Sequence, residues 1–282
     1  MRLVTFTQKG DTRVGALTAD GGVADLTPAG LPQTMVELLS RPDSMDLAKE
    51  AIHHAAVIPA ADVQIEAPVP SPPKVLAIGL NYRDHAEESG AQIPAKPVVF
   101  AKMPTCIVGP GHPVYMPRVS MALDYEAELC FVVGKTARYV KAEDAAQYIA
   151  GYTIGNDVSV RDWQFHSPTW MMGKSFDTHG PIGPAIVTPD EFDPGNAGIR
   201  FFVNNGMKQK SNTDHLIFSI GEIIEYLSAG FTLEPGDVVF TGTPAGIGGA
   251  KRPPEFLKVG DVMRVEIDDL GVLENTVTEE PA

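Results

Sequence analysis

Cysteine is almost absent from this chain, and the two that occur, Cys106 and Cys130, stand far apart with no CxxC spacing. That pattern excludes a zinc-binding cysteine cluster and a disulfide framework. Basic residues are also scarce, with 22 Lys and Arg against 36 Asp and Glu and a formal net charge of -14. Such a balance argues against nucleic acid or an anionic membrane as partner, although a few local cations and a metal can still dominate the field of a pocket. Met1-Arg2-Leu3-Val4-Thr5-Phe6 lacks the apolar stretch of a signal peptide, and no apolar run approaches membrane-spanning length. A reduced, cytoplasmic compartment is the resulting expectation. Several catalytic signatures are missing too. There is no GxSxG elbow, no HExxH helix and no GxGxxG in a strand-to-helix context. The run Thr241-Gly242-Thr243-Pro244-Ala245-Gly246-Ile247-Gly248 fails the phosphate-loop spacing, because Lys251 is followed by Arg252.

What is present begins with Leu123-Asp124-Tyr125-Glu126-Ala127-Glu128-Leu129-Cys130-Phe131-Val132-Val133. Alternation predicts a strand whose one face carries Leu123, Tyr125, Ala127, Leu129 and Phe131 toward a core. Its other face carries three carboxylates, with neighbours at i and i+2 only about 7 Å apart. Like charges that close repel, so the face must be solvated, take up a proton or bind a cation. Oxygen ligands would favour Mg²⁺, Mn²⁺ or Ca²⁺. Read alone, the run fits a wet outer face as well as a cation site.

The chain is long enough for one large domain or two unequal ones. Short strands over 2–7 and 13–17 and helices over 35–39 and 45–56 precede Ala67-Pro68-Val69-Pro70-Ser71-Pro72-Pro73, a stiff connector. This predicts a small N-terminal domain over 1–67, a connector over 68–73 and a main domain over 74–282. The main domain reads as strands over 75–78, 98–101, 127–133, 151–155, 199–203, 238–241 and 262–267. Asn205-Gly206 predicts a hairpin turn with two positive-φ residues. Helices over 142–148, after Asp157 and over 220–228 do not alternate with the strands, so a doubly wound parallel sheet is not expected.

Two further segments can carry chemistry. In Gly155-Asn156-Asp157-Val158-Ser159-Val160-Arg161-Asp162-Trp163-Gln164, Asn156 or Asp157 would cap a helix. Asp157, Arg161 and Gln164 would then share one face, a grip for a carboxylate beside a metal or simply a capped surface turn. In Asn81-Tyr82-Arg83-Asp84-His85-Ala86-Glu87-Glu88, His85 and Glu88 can meet on one helical turn. That pair suits a general base, and equally a surface histidine in a charged helix. Ser89-Gly90-Ala91-Gln92-Ile93-Pro94 after it is small and polar, which suits a lid.

Together with Gly173-Lys174-Ser175-Phe176-Asp177 and Thr241-Gly242-Thr243-Pro244, these segments resemble, in order, the fumarylacetoacetate hydrolase family. The resemblance covers the region after the proline connector. It implies an α+β, mainly β fold, a mixed β-roll with a small N-terminal α+β domain, and a homodimer. It also implies a Mg²⁺ or Mn²⁺ ion (Ca²⁺ in crystals) held by Glu126, Glu128 and Asp157, with Asp124 spare. His85 and Glu88 match a water-activating dyad, and Lys174 a stabiliser of oxyanion charge. Tyr82, Arg161, Gln164 and Thr243 match positions that hold a small anionic 2-oxo acid. The implied activity is hydrolysis of a C–C bond in a 2,4-diketo acid such as an acylpyruvate. The same residues also suit isomerisation of a 2-hydroxy-dienedioate, tautomerisation or decarboxylation of oxaloacetate, or mere organic-acid binding.

Overall fold

The computed structural model describes residues 1–90 and 92–281. Ala91, inside the segment expected to form a lid, and Ala282 lie outside the described residues. Strands dominate, and the fold is α+β and mainly β. One long sheet runs in the order Val57–Ile58, Val23–Asp25, Asp11–Leu17, Arg2–Gln8, Gly180–Val187, Ile149–Asn156, Ala127–Val133, Val238–Phe240, Val75–Gly79, Val98–Lys102. Along this order the pairings are antiparallel except that Val238–Phe240 runs parallel to Val75–Gly79, and off it Ile107–Val108 pairs parallel with Gly180–Val187. A second, five-stranded sheet contains Gly198–Val203, Gly206–Asn212, Val262–Ile267, Gly271–Glu279 and Val114–Met116. The N-terminal strands are part of the long sheet, because Arg2 and Leu3 pair with Val187 and Ile186. The division at Pro68–Pro73 is therefore a proposal about chain organisation, while backbone hydrogen bonding runs across it.

The strand Ala127–Val133 sits near the middle of the long sheet and is buried on both faces. Ala127, Leu129, Phe131 and Val133 pack into one core with Phe201, Val265 and the helix Ile220–Gly230. Cys130 and Val132, on the face shared by Glu128, pack into a second core with Leu38, Ile186 and Phe240. A wet outer face is thereby ruled out for this strand. The helix Ile220–Gly230 buries Ile220, Ile223, Ile224 and Leu227, and Ser219 with Glu222 closes a capping box at its start. Such a cap contributes about 1 kcal/mol.

Several sequence expectations are corrected. The carboxylate run is broken: Leu123–Asp124 pairs with Ser159–Val160 in a separate ribbon, and the strand resumes at Ala127. Asp157 does not begin a helix. It lies in the corner between Ile149–Asn156 and Ser159–Val160, and the helix is a single turn, Arg161–Gln164. The cause is Val158-Ser159-Val160, whose β-branched residues prefer extended backbone and bury both valines. The segment Ala142–Tyr148 is a 3-10 helix. The predicted hairpin forms, but around Asn204-Asn205, since Gly206 already pairs with Val203. Asn204 alone of the two adopts positive φ, 53°, a conformation asparagine tolerates well.

Candidate active site

Glu126, Glu128 and Asp157 converge at the end of the central strands, with one oxygen from each lying within 4.8 Å of the others. The backbone enforces this meeting. The Glu126 amide donates to Asn156 Oδ1 at 3.0 Å, and the Asp157 amide donates to the Glu126 carbonyl at 2.9 Å. All three side chains are buried. At such separation a pair of carboxylates repels by roughly 3 kcal/mol even at an effective dielectric of ~20, so cations are required.

The chain supplies three. Lys174, at the end of the short helix Met171–Lys174, donates to Glu126 Oε2 at 2.8 Å and Asp157 Oδ2 at 2.6 Å. Lys102 donates to Asp157 Oδ1 at 2.6 Å, to the His179 carbonyl at 3.1 Å and to the Lys174 carbonyl. Arg161 meets Glu126 Oε1 at 2.7 Å, Asp124 Oδ2 at 2.7 Å and Gln164 Oε1 at 2.9 Å. Its Nη2 is buried and has no hydrogen-bond partner among the described residues.

These pairings divide the carboxylates. Burial pushes Glu126 up, but Lys174 and Arg161 outweigh it and hold the group at about 2. Among the described residues Glu128 has no Lys or Arg ion pair and accepts from the Gly242 amide alone, at 2.6 Å. Burial, then repulsion by Asp157 and Glu126, raises it well above the usual carboxylate range. An oxygen-only donor set with one uncompensated member fits a hard divalent cation. Asp124 is neither solvated nor one of the three converging oxygens. It is fully buried and accepts from Arg161, Gly248 (2.8 Å) and Gly249 (2.8 Å), pinning the 248–249 loop beside the guanidinium.

Above the carboxylates lies a cavity of about 440 Å³. Its lining includes His85, Glu88, Arg161, Gln164, Lys174 and Thr243, so six of the expected residues come together with Glu126 and Glu128. His85 and Glu88 project from the helix Arg83–Ser89, with Nδ1 3.4 Å from Oε2, a long contact for a resting dyad. Glu88 is steadied by the Gly246 amide at 3.0 Å. Thr243 accepts from Gln209, which also accepts from the Ala127 amide and so ties the loop to the strand. Tyr82 is the exception. It is fully buried, does not line the cavity, and its hydroxyl has no partner among the described residues. It precedes the helix, and its ring turns inward rather than toward the ligand space.

Sequence reasoning missed Lys102 and the aromatic wall. Phe100 and Trp170 meet edge-on with centroids 5.7 Å apart, and Lys174 lies 5.3 Å from the Phe100 centroid. Trp170 is held in the left-handed region at φ 60°, strained for a bulky residue. Its ring packs onto Gly79, where a Cβ would fall 2.4 Å from it. Glycine at 79 is thus demanded by a contact distant in sequence.

Comparison with known proteins gives the same picture. Residues 74–278 match the fumarylacetoacetate (FAA) hydrolase C-terminal family. Over 288 residues the chain is 43% identical to the mitochondrial oxaloacetate tautomerase of Xenopus laevis, covering 98% of this chain and 90% of the frog protein. The solved fumarylacetoacetate hydrolase of Exiguobacterium antarcticum matches with a TM-score of 0.90 and 37% identity, covering 99% of this chain and 100% of that one. The maleylpyruvate hydrolase of Sphingobium sp. SYK-6, solved with manganese(II) ion and pyruvate, matches with a TM-score of 0.83 and 31% identity over 100% of both chains. The fold and its acidic pocket are thus those of an enzyme. The chain belongs to the fumarylacetoacetate hydrolase family. The cytoplasmic placement expected from the sequence is corrected by the first of these matches, since that relative is a mitochondrial protein. No helix among the described residues is long and apolar enough to cross a membrane.

Proposed function

We propose that this enzyme acts on a small 2-oxo acid through its enol form, and that keto–enol tautomerisation of oxaloacetate or a close analogue is its principal reaction. The observation that carries the reading is the three buried carboxylates beside an arginine with a spare buried donor, under the His85–Glu88 dyad. Glu126, Glu128 and Asp157 would hold Mg²⁺ or Mn²⁺, which when bound supplies Lewis acidity toward the carboxylate and oxo oxygens of the substrate.

The side chains then have separate tasks. Arg161 and Gln164 orient the substrate carboxylate, and Lys174 faces the oxo oxygen as negative charge develops there. His85, steadied by Glu88, accepts the proton from the carbon next to the oxo group at Nε2 and returns it to oxygen. Phe100 and Trp170 exclude water from that transfer. Support comes from the 43% identical tautomerase together with the geometry above.

Hydrolysis of a 2,4-diketo acid is the second reading. It is favoured by the same dyad, which can take a proton from water as readily as from carbon, and by the structural neighbour that is a maleylpyruvate hydrolase. A homodimer remains part of the proposal. The test follows enol absorbance of oxaloacetate and cleavage of acylpyruvates in parallel, with Mg²⁺ and after EDTA treatment. Metal-dependent tautomerisation faster than cleavage is expected. Rapid acylpyruvate cleavage without tautomerisation reverses the order, and turnover unaffected by EDTA rejects the metal.

A further inference from the structure

The cavity is graded from a buried charged floor to an open mouth. Glu126, Glu128 and Lys174 at the floor are buried, whereas Phe165 and Arg252 at the other end are exposed. Trp170, Ile247 and Phe256, half-buried and so intermediate in exposure, line the same cavity as its apolar wall. Arg161 and Lys174 are each committed to two carboxylates. Arg252 has none within salt-bridge distance among the described residues. Its Nη1 donates only to carbonyls of its own loop, those of Lys251 (3.0 Å), Ala250 (3.3 Å) and Gly249 (3.4 Å).

Position makes this guanidinium more than a surface charge. The Gly249 amide is tied to Asp124 Oδ2, the oxygen that also binds Arg161 Nε. Arg252 follows three residues later, so the chain keeps the two backbones within about 10 Å. A dioate of four to seven carbons extends roughly 4 to 8 Å between its terminal carbons, at about 1.3 Å per bond along the chain. A floor that takes one charged end, an apolar wall for carbon, and a free cation at the mouth together match a molecule with two anionic ends.

We propose that Arg252 forms a second subsite that binds the distal carboxylate, so that the enzyme selects dicarboxylic 2-oxo acids over monocarboxylic ones. This rests on the 2-oxo acid reading of the floor. The planar fork of arginine suits a carboxylate, and losing it costs affinity only for ligands that reach it.

The test is calorimetry on the Mn²⁺-loaded protein with 2-oxoadipate, with 2-oxohexanoate of equal chain length, and with oxalate. Wild type is expected to favour 2-oxoadipate over 2-oxohexanoate about tenfold. Arg252→Gln removes that preference while oxalate affinity stays, and Arg252→Lys falls between. Equal binding of 2-oxoadipate by wild type and Arg252→Gln overturns the inference, as does a wild type that does not discriminate. Failure of wild type to bind oxalate rejects the floor reading instead, and the subsite falls with it.

Discussion

Lys102 donates a 2.6 Å hydrogen bond to Oδ1 of Asp157, and both side chains are completely shielded from solvent. The other Asp157 oxygen is taken by Lys174, so one carboxylate is gripped by two ammonium groups. The two lysines differ in access. Lys174 lines the cavity, whereas Lys102 lies behind it and also anchors the carbonyls of Lys174 and His179. Lys102 is therefore scaffold behind the cavity, and Lys174, held by Glu126 and Asp157, is the ammonium that a ligand in the cavity would meet.

Removing Lys102 leaves Asp157 as a buried charge with one fewer partner. Lys102→Met is expected to destabilise the metal-free protein by about 3–5 kcal/mol, the usual cost of breaking a buried pair. Denaturant unfolding checks this. Added Mn²⁺ should restore more stability to the variant than to wild type, because a cation replaces the lost charge. Unfolding midpoints equal to wild type would show that the pair contributes nothing.

The dyad prediction separates chemistry from metal binding. His85→Gln and Glu88→Gln are each expected to lower kcat, the former by about 10²–10⁴, the range of general acid–base contributions. Mn²⁺ affinity measured by calorimetry should stay within about twofold of wild type, since neither residue belongs to the carboxylate triad. Unchanged kcat in His85→Gln would remove His85 as the base.

His179 gives a pH dependence of stability. Burial, partly opposed by its 2.8 Å bond to the Tyr115 carbonyl and reinforced by nearby Lys102, lowers it from the ordinary 6.5 to about 4. The native state therefore stays unprotonated where the unfolded chain takes up a proton. Stability is full above about pH 6.5 and falls as pH drops toward 4, by about 3 kcal/mol in total from this group. His179→Gln keeps a donor for Tyr115 but cannot titrate. Its unfolding free energy should fall less than that of wild type across this window, and parallel curves would contradict the assignment.

The parts of the site legible in the sequence were those set by local periodicity or by an ordered run of short segments. Alternation over Leu123–Val133 pointed to the strand that forms over Ala127–Val133, and His85 and Glu88 meet because three residues span one helical turn. Long-range pairing was not legible. Lys102 reaches Asp157 across 55 residues, and nothing in Val98-Val99-Phe100-Ala101-Lys102 announces a buried ammonium. Asp124 read as the spare member of a repeating face, but the strand breaks after it and its role comes from Gly248 and Gly249. Placing Asp157 on a helix failed because capping preference lost to the extended preference of Val158 and Val160.

The most direct test of the central claim is titration of Mn²⁺ into wild type and Glu128→Gln, followed by calorimetry at constant ionic strength. The proposed cation site is the buried carboxylate triad, in which Glu128 is the member with no Lys or Arg ion pair among the described residues. One site per chain in wild type is expected, weakened at least about a hundredfold by the substitution. Absence of a stoichiometric site in wild type, or equal affinity in Glu128→Gln, would contradict the account.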